Sequence, residues 1–189
     1  MDLSLQNYVF AAILVLTIIP FKASSNSNSL PHHQHHELKS LHFTLFDHEI
    51  LNKTAFRIVS GVAGAGYSAT TTPFGTLFVV NDPFKLSADP SSKVVGSNEG
   101  FSLTSSLDGL ENIAVGKLSL NLKKYKGAVY FVGSVHNTKS SEHPIVGGTG
   151  DFLFVQGYIT TSPVNLTGLI LIYKFEFHLY WPPYAAQIS

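Results

Sequence analysis

The sequence predicts an all-β domain, either a barrel or a sandwich, and three observations support this fold class. From Leu41 onward, apolar residues alternate with polar ones, which is the period of a half-buried strand. Turn residues separate the alternating runs at short intervals, and no run shows a sustained amphipathic helical pattern. Seven or eight strands at this spacing are typical of barrels and sandwiches.

The first strand, residues 41–50, shows the alternation most clearly. Its residues Leu41, Phe43, Leu45, Asp47 and Glu49 fall on one face. Further strands are predicted at 56–62, 75–80, 100–104, 113–122, 128–135, 152–161 and 169–180. Turn signals between them are Thr72-Pro73, Asn81-Asp82-Pro83, Asp89-Pro90, Asp108-Gly109, Lys126-Gly127, the glycines at 147–150 and Ser162-Pro163.

Three of these glycines, Gly147, Gly148 and Gly150, stand directly before Asp151. Glycine weakens a strand, so this cluster indicates a bulge, a barrel corner or the close approach of a ligand to the backbone. Taken alone, the segment is best interpreted as a tight turn between two strands. It fits a phosphate-binding loop poorly, because no Lys-Ser/Thr pair follows the glycines.

Composition limits the class of protein further. A chain of 189 residues with 44% apolar content can bury one good core, which indicates a single folded domain. The formal net charge is zero and Arg57 is the only arginine, which argues against nucleic acid as a partner. Cysteine is absent, so the fold depends on its hydrophobic core and not on disulfides.

The N-terminal segment predicts export. An apolar run from Tyr8 to Phe21 precedes small residues ending at Ser25, so residues 1–25 are predicted to be a secretory signal peptide, with an N-terminal membrane anchor as the alternative. No later segment is apolar enough to span a membrane. The sequons at Asn52 and Asn165 are usable for glycosylation only in an exported protein. We therefore expect a secreted glycoprotein.

Residues 26–40 are polar and contain four closely spaced histidines, so they are predicted to be a disordered arm before a folded domain at 41–189. No acidic or cysteine ligands join these histidines at a defined spacing, and a solvated tail is favoured over a metal site.

Polar residues on apolar strand faces favour a barrel over a sandwich, because a small barrel can hold one ligand. Asp47 and Glu49 are two positions apart and share a side of their strand. Burial would raise the pKa of such carboxyls to a range that suits proton transfer. The alternative, in which the strand ends near Asp47 and both carboxyls are solvated, stays open.

Five segments in the same order resemble the plant dirigent family, and together they extend over about residues 41–180. They are HEIL at 48–51 for the family's His-Asp-Ile-Leu, GTLFVVNDP at 75–83 for Gly-Thr-aliphatic-Val-Asp-Asp-Pro, VGSNEGF at 95–101 for Val-Gly-Arg-Ala-Gln-Gly-Phe/Tyr, YKG at 125–127 for Tyr-Lys/Asn-Gly-Ser, and IVGGTGDFLFVQGY at 145–158 for Val-Val-Gly-Gly-Thr-Gly-Asp/Lys-Phe-Arg-x-Ala-Arg-Gly-Tyr.

This resemblance implies an eight-stranded antiparallel β-barrel with a central ligand cavity, assembled as a homotrimer, glycosylated and exported to the apoplast. Family members direct the coupling of two phenoxy radicals, such as those of coniferyl alcohol, into an optically active lignan. A separate laccase or peroxidase makes the radicals. One branch instead removes water from an isoflavanol through a quinone methide to give a pterocarpan. Neither activity implies a cofactor or a metal.

The resemblance also implies which residues form the site. Glu49 stands for a family aspartate and Asp151 for a second acid, and with Asp47 they are the candidate proton-transfer groups. Leu153 and Gln156 replace two arginines of the signature, so two fixed positive charges are missing. The candidate substrate-binding residues are Phe101, Ser102, Thr104, Phe152, Gln156 and Tyr158, of which Ser102 and Thr104 replace tyrosines of pinoresinol-forming members.

Three functions stay open. The leading one is a guide for radical coupling, which is an auxiliary protein rather than a stand-alone enzyme. The second is a pterocarpan-synthase-like dehydratase, for which an acid and a base suffice. The third is a non-catalytic, phenol-binding wall protein, favoured by the missing arginines and tyrosines. An arginine keeps a neighbouring carboxyl ionised, so without one we expect a buried acid to be protonated more easily and pinoresinol-type coupling to be altered or lost.

Overall fold

Residues 38–68, 70–183 and 185 are described by the computed structural model of the protein, and nine strands lie within them. The predicted signal peptide and residues 26–37 of the predicted arm lie outside the described residues. Within the described part of the chain, no helix is both long and apolar enough to cross a membrane. The strands are β1 Lys39–Ile50, β2 Ala55–Val59, β3 Leu77–Lys85, β4 Val94–Thr104, β5 Glu111–Asn121, β6 Lys126–His136, β7 Ser141–Gly150, β8 Gln156–Thr167 and β9 Ile170–Trp181.

All strand pairs in the sheet are antiparallel, and the order is β1-β9-β8-β7-β6-β5-β4-β3-β2. An additional pairing of β1 with β3 closes the sheet, with Asp47 opposite Phe84. The short β2 follows β1 after a turn and pairs with the other half of β3, so β1 and β2 together occupy one place in the wall. The prediction of an all-β, eight-stranded antiparallel barrel is confirmed.

Three predicted turns are wrong, because the strands continue through them. Pro83 lies inside β3 opposite Ser97, and Pro163 lies inside β8 opposite Tyr173. A proline cannot donate to the sheet, and a register shift follows each of these prolines, between Phe84 and Lys85 and after Pro163. The glycine cluster belongs to β7, and the turn comes after it, at residues 151–154.

The chain needs glycine in β7 because this turn folds back against the strand. A Cβ on Gly148 would lie 2.2 Å from the carbonyl oxygen of Phe152, whereas a Cβ on Gly147 would meet nothing within 4 Å. Gly150 has a φ of 63°, in the left-handed region that glycine favours. Close approach of backbone to backbone therefore accounts for Gly148 and the left-handed backbone for Gly150, and nothing in the structure requires glycine at position 147.

The alternate, inward-facing side chains form one core that closes one end of the barrel. Phe84, Phe175 and Phe177 pack edge to face or tilted against one another. Trp181, the last residue of β9, stacks on Tyr125 and Phe152, which belong to turns at that end. The β4–β5, β6–β7 and β8–β9 turns lie at the opposite end.

Candidate functional site

The barrel contains a cavity of about 450 Å³ toward the end opposite Trp181. Its wall combines apolar and aromatic side chains with a few polar groups, a composition that is typical of sites for small organic ligands. The apolar lining includes Phe78, Val80, Phe131, Leu171 and Phe175, and the polar lining includes Asp47, Glu49, Asn98, Ser102, Asn112, His143, Thr161 and Tyr173.

Asp47 projects from β1 into this wall and is only 2% exposed. Its Oδ2 accepts a hydrogen bond of 3.0 Å from Nδ2 of Asn98, and no hydrogen-bond donor among the described residues reaches its Oδ1. Burial raises the pKa of Asp47 well above its ordinary value, the neighbouring Asp82 raises it further, and the Asn98 hydrogen bond acts in the opposite direction. The alternative of a solvated carboxyl at the end of the first strand is therefore wrong.

Asp82 is a further acid of the site, although its sequence context, Asn81-Asp82-Pro83, predicts a turn. It lies on β3 opposite Asn98, is fully buried, and has no hydrogen-bond partner within the described residues for either carboxyl oxygen. Burial raises the pKa of Asp82 to about 6, and the hydroxyl of Thr54, which is near Asp82 but donates its hydrogen bond to the Ile50 carbonyl, acts weakly in the opposite direction. Asp47 and Asp82 therefore form a coupled buried pair in which protonation of one carboxyl relieves its repulsion with the other.

Glu49 lies two residues beyond Asp47 on β1, so its side chain is on the same face of the strand and lines the same cavity wall. Burial raises the pKa of Glu49 to about 8, with a further contribution from the negative charge of Asp82. At neutral pH this side chain is therefore mainly a neutral carboxylic acid that can donate a proton.

Two further side chains of the cavity lining are the phenol of Tyr173 and the guanidinium of Arg57. Tyr173 stands opposite Asp47 on β9, and burial together with the nearby carboxyls raises the pKa of its phenol, which remains a hydroxyl donor. Arg57, the only arginine of the chain, lies with its guanidinium 4.3 Å from the ring centre of Tyr67. Arg57 does not contribute to the pKa of Asp47, Asp82 or Glu49, which agrees with the easy protonation of these acids.

The structure brings some of the predicted site residues together. Asp47, Glu49 and Ser102 line the cavity. Phe101 borders it as well, but by the alternation of β4 its side chain belongs to the outward set and is 44% exposed. Thr104 is buried beside the cavity and donates a hydrogen bond of 2.9 Å to Oδ1 of Asn112.

Four other predicted site residues lie outside the cavity lining. Asp151 is exposed, and its Oδ2 accepts a hydrogen bond of 2.7 Å from the backbone N–H of Lys126, so it fastens the turn after β7. Phe152 is buried in the core at the closed end. Gln156 and Tyr158 belong to the outer face of β8. The turn therefore does not bring Asp151 close to Glu49. A role in the site for these four residues stays a prediction.

Both sequons lie near the end of the barrel opposite Trp181. Asn52 is exposed in the turn between β1 and β2, where its φ is 62°. Asn165 is half-buried near the end of β8, and its Oδ1 accepts a hydrogen bond of 3.0 Å from the backbone N–H of Thr167. Glycosylation of either residue stays a prediction.

A second polar group of the cavity, also missed in the sequence, comes from β7 and β8. His143 is fully buried, and its Nε2 lies 2.9 Å from Oγ1 of the buried Thr161. Burial lowers the pKa of His143 to about 4, so its imidazole is neutral at neutral pH. Counting alternate residues along β7 would have placed His143 inward with Ile145, had that segment been taken for a strand.

Comparison with known proteins agrees with this architecture. The sequence model of dirigent-like proteins matches residues 40–180. The chain is 23% identical over 171 residues to dirigent protein 1 of Arabidopsis thaliana, covering 89% of this chain and 92% of that protein. It is 25% identical over 125 residues to pterocarpan synthase 1 of Glycyrrhiza echinata, covering 65% of this chain and 66% of that protein. The solved structure of a pterocarpan synthase dirigent protein is similar in fold, with a TM-score of 0.68 at 21% identity over 82% of this chain and 98% of that one.

Proposed function

The chain belongs to the family of dirigent-like proteins, and we propose that its cavity binds a phenol and directs the stereoselective coupling of two phenoxy radicals in phenylpropanoid metabolism, such as lignan formation. The observation that carries this proposal is the cavity itself, in which aromatic walls adjoin buried, protonatable carboxyls. A separate laccase or peroxidase supplies the radicals, and this chain supplies orientation and proton transfer.

The wall chemistry suits that task. The apolar and aromatic side chains exclude water and hold planar rings in a fixed relative orientation, which determines the face on which the rings couple. Formation of the carbon–carbon bond leaves a quinone methide. The acid form of Glu49 protonates its oxygen while an alcohol adds to its methide carbon, and the proton of that alcohol returns to the carboxylate.

We also propose that the protein acts as a secreted homotrimer in the apoplast. The leader pattern and the two sequons support export. A row of outward apolar side chains across five adjacent strands supports self-association, because a contiguous exposed apolar patch marks an interface. Neighbours in the row are register partners, each is between 37% and 48% exposed, and its members are Phe56, Val79, Phe101, Val115 and Val132.

Replacing Val115 with lysine in the middle of this row is expected to yield monomers, because a desolvated charge opposes burial of the patch. The measurement is the mass in solution by light scattering after size exclusion. Val146→Lys is the matched control, since Val146 is an exposed valine on β7 outside the row, and it should leave the assembly intact. A monomeric unmodified protein, or an unchanged oligomer in the Val115 variant, would contradict the proposed interface.

A second candidate, dehydration of an isoflavanol to a pterocarpan, is favoured by the protonated state of Glu49. The acid would donate its proton to the leaving hydroxyl, the carbon–oxygen bond would break and water would leave. A phenol oxygen of the same substrate would then close the ring, and its proton would restore the acid. This reaction consumes no oxidant, which separates it from radical coupling.

The two functions are distinguished by chiral chromatography of products from the purified, secreted protein. Coniferyl alcohol and a racemic isoflavanol are each supplied with and without a laccase. We expect an enantiomeric excess of lignan with coniferyl alcohol only when laccase is present. Pterocarpan formed without laccase would instead establish the dehydratase, and racemic products in every arm would refute both activities.

A further inference from the structure

Two of the polar regions of the cavity, the carboxyls of β1 and the hydroxyl of Thr161, lie on separate parts of its wall. Asp47 lies on β1 opposite Tyr173 of β9, and Thr161 lies on β8 opposite Phe175, the next inward residue of β9. Two strand spacings separate β8 from β1, which is roughly 10 Å along the wall. Phe175 lies between the two regions and lines the cavity, so a ligand that reaches both must have an apolar middle.

The pair formed by His143 and Thr161 is built as a fixed hydrogen-bonding group. Both side chains are buried and both line the cavity. The ring of His143 packs against Phe131, with ring centres 5.2 Å apart, which fixes the imidazole beside the hydroxyl. Gly133 leaves room for the ring, since a Cβ there would lie 2.8 Å from Nδ1 of His143.

Thr161 keeps hydrogen-bonding capacity toward the cavity in either tautomer of His143. A hydroxyl has one donor and two acceptor sites. If Nε2–H donates to Oγ1, the threonine O–H is free to donate to a ligand oxygen. If the threonine donates to Nε2, its remaining lone pairs can accept from a ligand hydroxyl.

We propose that Thr161, held by His143, binds an oxygen substituent at the end of the ligand remote from the carboxyls. This rests on the proposed binding of a phenol in the cavity and specifies its class: a phenylpropanoid with a phenolic hydroxyl near Glu49 and an alcohol at the end of the side chain. His143 is a positioning residue in this arrangement, and Thr161 determines specificity.

Two phenols test the proposal, coniferyl alcohol and isoeugenol. They share the hydroxy-methoxyphenyl ring and a three-carbon side chain, and only coniferyl alcohol has a terminal hydroxyl. Dissociation constants are measured by calorimetry on the secreted protein. We expect coniferyl alcohol to bind about fivefold more tightly, the effect of one net hydrogen bond of about 1 kcal/mol.

Thr161→Val should remove this preference by weakening coniferyl alcohol to the level of isoeugenol, whose affinity should stay within about twofold. Thr160→Val is the matched control, because Thr160 is the adjacent threonine on the outward face of β8 and should keep the full preference. Thr161→Ser retains the hydroxyl and should keep the preference as well, which separates loss of the hydrogen bond from loss of packing.

Equal affinity of the unmodified protein for the two phenols would overturn the assignment of Thr161 and leave phenol binding standing. A preference that survives in Thr161→Val would overturn it too. Binding of neither phenol would overturn the proposed function and this inference with it.

Discussion

Replacing Glu49 with glutamine is expected to slow the proton-dependent step by about 100- to 10,000-fold, the usual contribution of a positioned general acid. Glu49 lines the cavity, and burial raises its pKa to about 8, so it holds a proton at neutral pH. Glutamine keeps the shape and can donate a hydrogen bond, but it cannot transfer a proton. The measurement is the rate of product formation by chiral chromatography with the substrate that proves active.

The pH dependence follows from the same pKa. The acid form of Glu49 is populated below about pH 8 and is lost as the pH rises through that value. Activity that depends on the acid should therefore be level below pH 7 and fall above pH 8. Activity that rises through pH 8 would show that the carboxylate is the active form and would contradict the role of Glu49 as an acid.

The thermal stability of Glu49→Gln is measured as well, so that unfolding of the variant can be distinguished from loss of the acid. An amide in place of a buried carboxyl removes a charge that the interior disfavours, so thermal unfolding should not occur at a lower temperature at pH 8. Glu176→Gln serves as the control, because Glu176 belongs to the outward face of β9 and pairs with Lys174 at 2.9 Å. Full activity of Glu49→Gln would remove Glu49 from the proposed mechanism.

The fold was accessible from the sequence because the barrel wall follows the two-residue period of its strands. Along β1 the inward residues Leu45, Asp47 and Glu49 are those that the alternation selects. The bounds of the strands are less accessible, since proline and glycine have the local preference of turns. Pairing with β4 continues β3 through Pro83, and pairing with β9 continues β8 through Pro163, so the tertiary pairing overrides the local turn preference.

The site was accessible only in part. Asp82 was hidden because Asn81-Asp82-Pro83 has the composition of a turn, although counting by two from Phe78 places Asp82 on the inward face. Asp151 follows the glycines of the family signature, yet its carboxylate stabilises the turn by accepting a hydrogen bond from the Lys126 N–H. A carboxyl beside a sequence motif is a candidate for the functional site. Only the three-dimensional structure shows whether its strand face points toward the cavity.

Replacing Asp82 with asparagine is expected to stabilise the fold above pH 6 by roughly 3 kcal/mol, since the pKa is raised from 3.8 to about 6 and each unit corresponds to about 1.4 kcal/mol. The unfolded chain releases this proton near pH 4 and the folded chain near pH 6. Between these values the folded state binds more protons, so its stability falls as the pH rises. Asparagine carries no such charge, and the variant should differ little from the unmodified protein below pH 4.

Thermal unfolding between pH 3.5 and pH 8 measures this effect, and a gain of this size should raise the midpoint at pH 8 by roughly 6–12 °C. Glu142→Gln, at an exposed position of β7, should leave the pH profile unchanged. An unchanged profile in Asp82→Asn would show that Asp82 takes up no proton on folding.

The charge of Asp82 also raises the pKa of Glu49, so the same variant should shift the loss of activity to a lower pH. Coinciding shifts of stability and activity would show that Asp82 adds to the effect of burial in keeping Glu49 protonated, although Asp82 itself does not line the cavity.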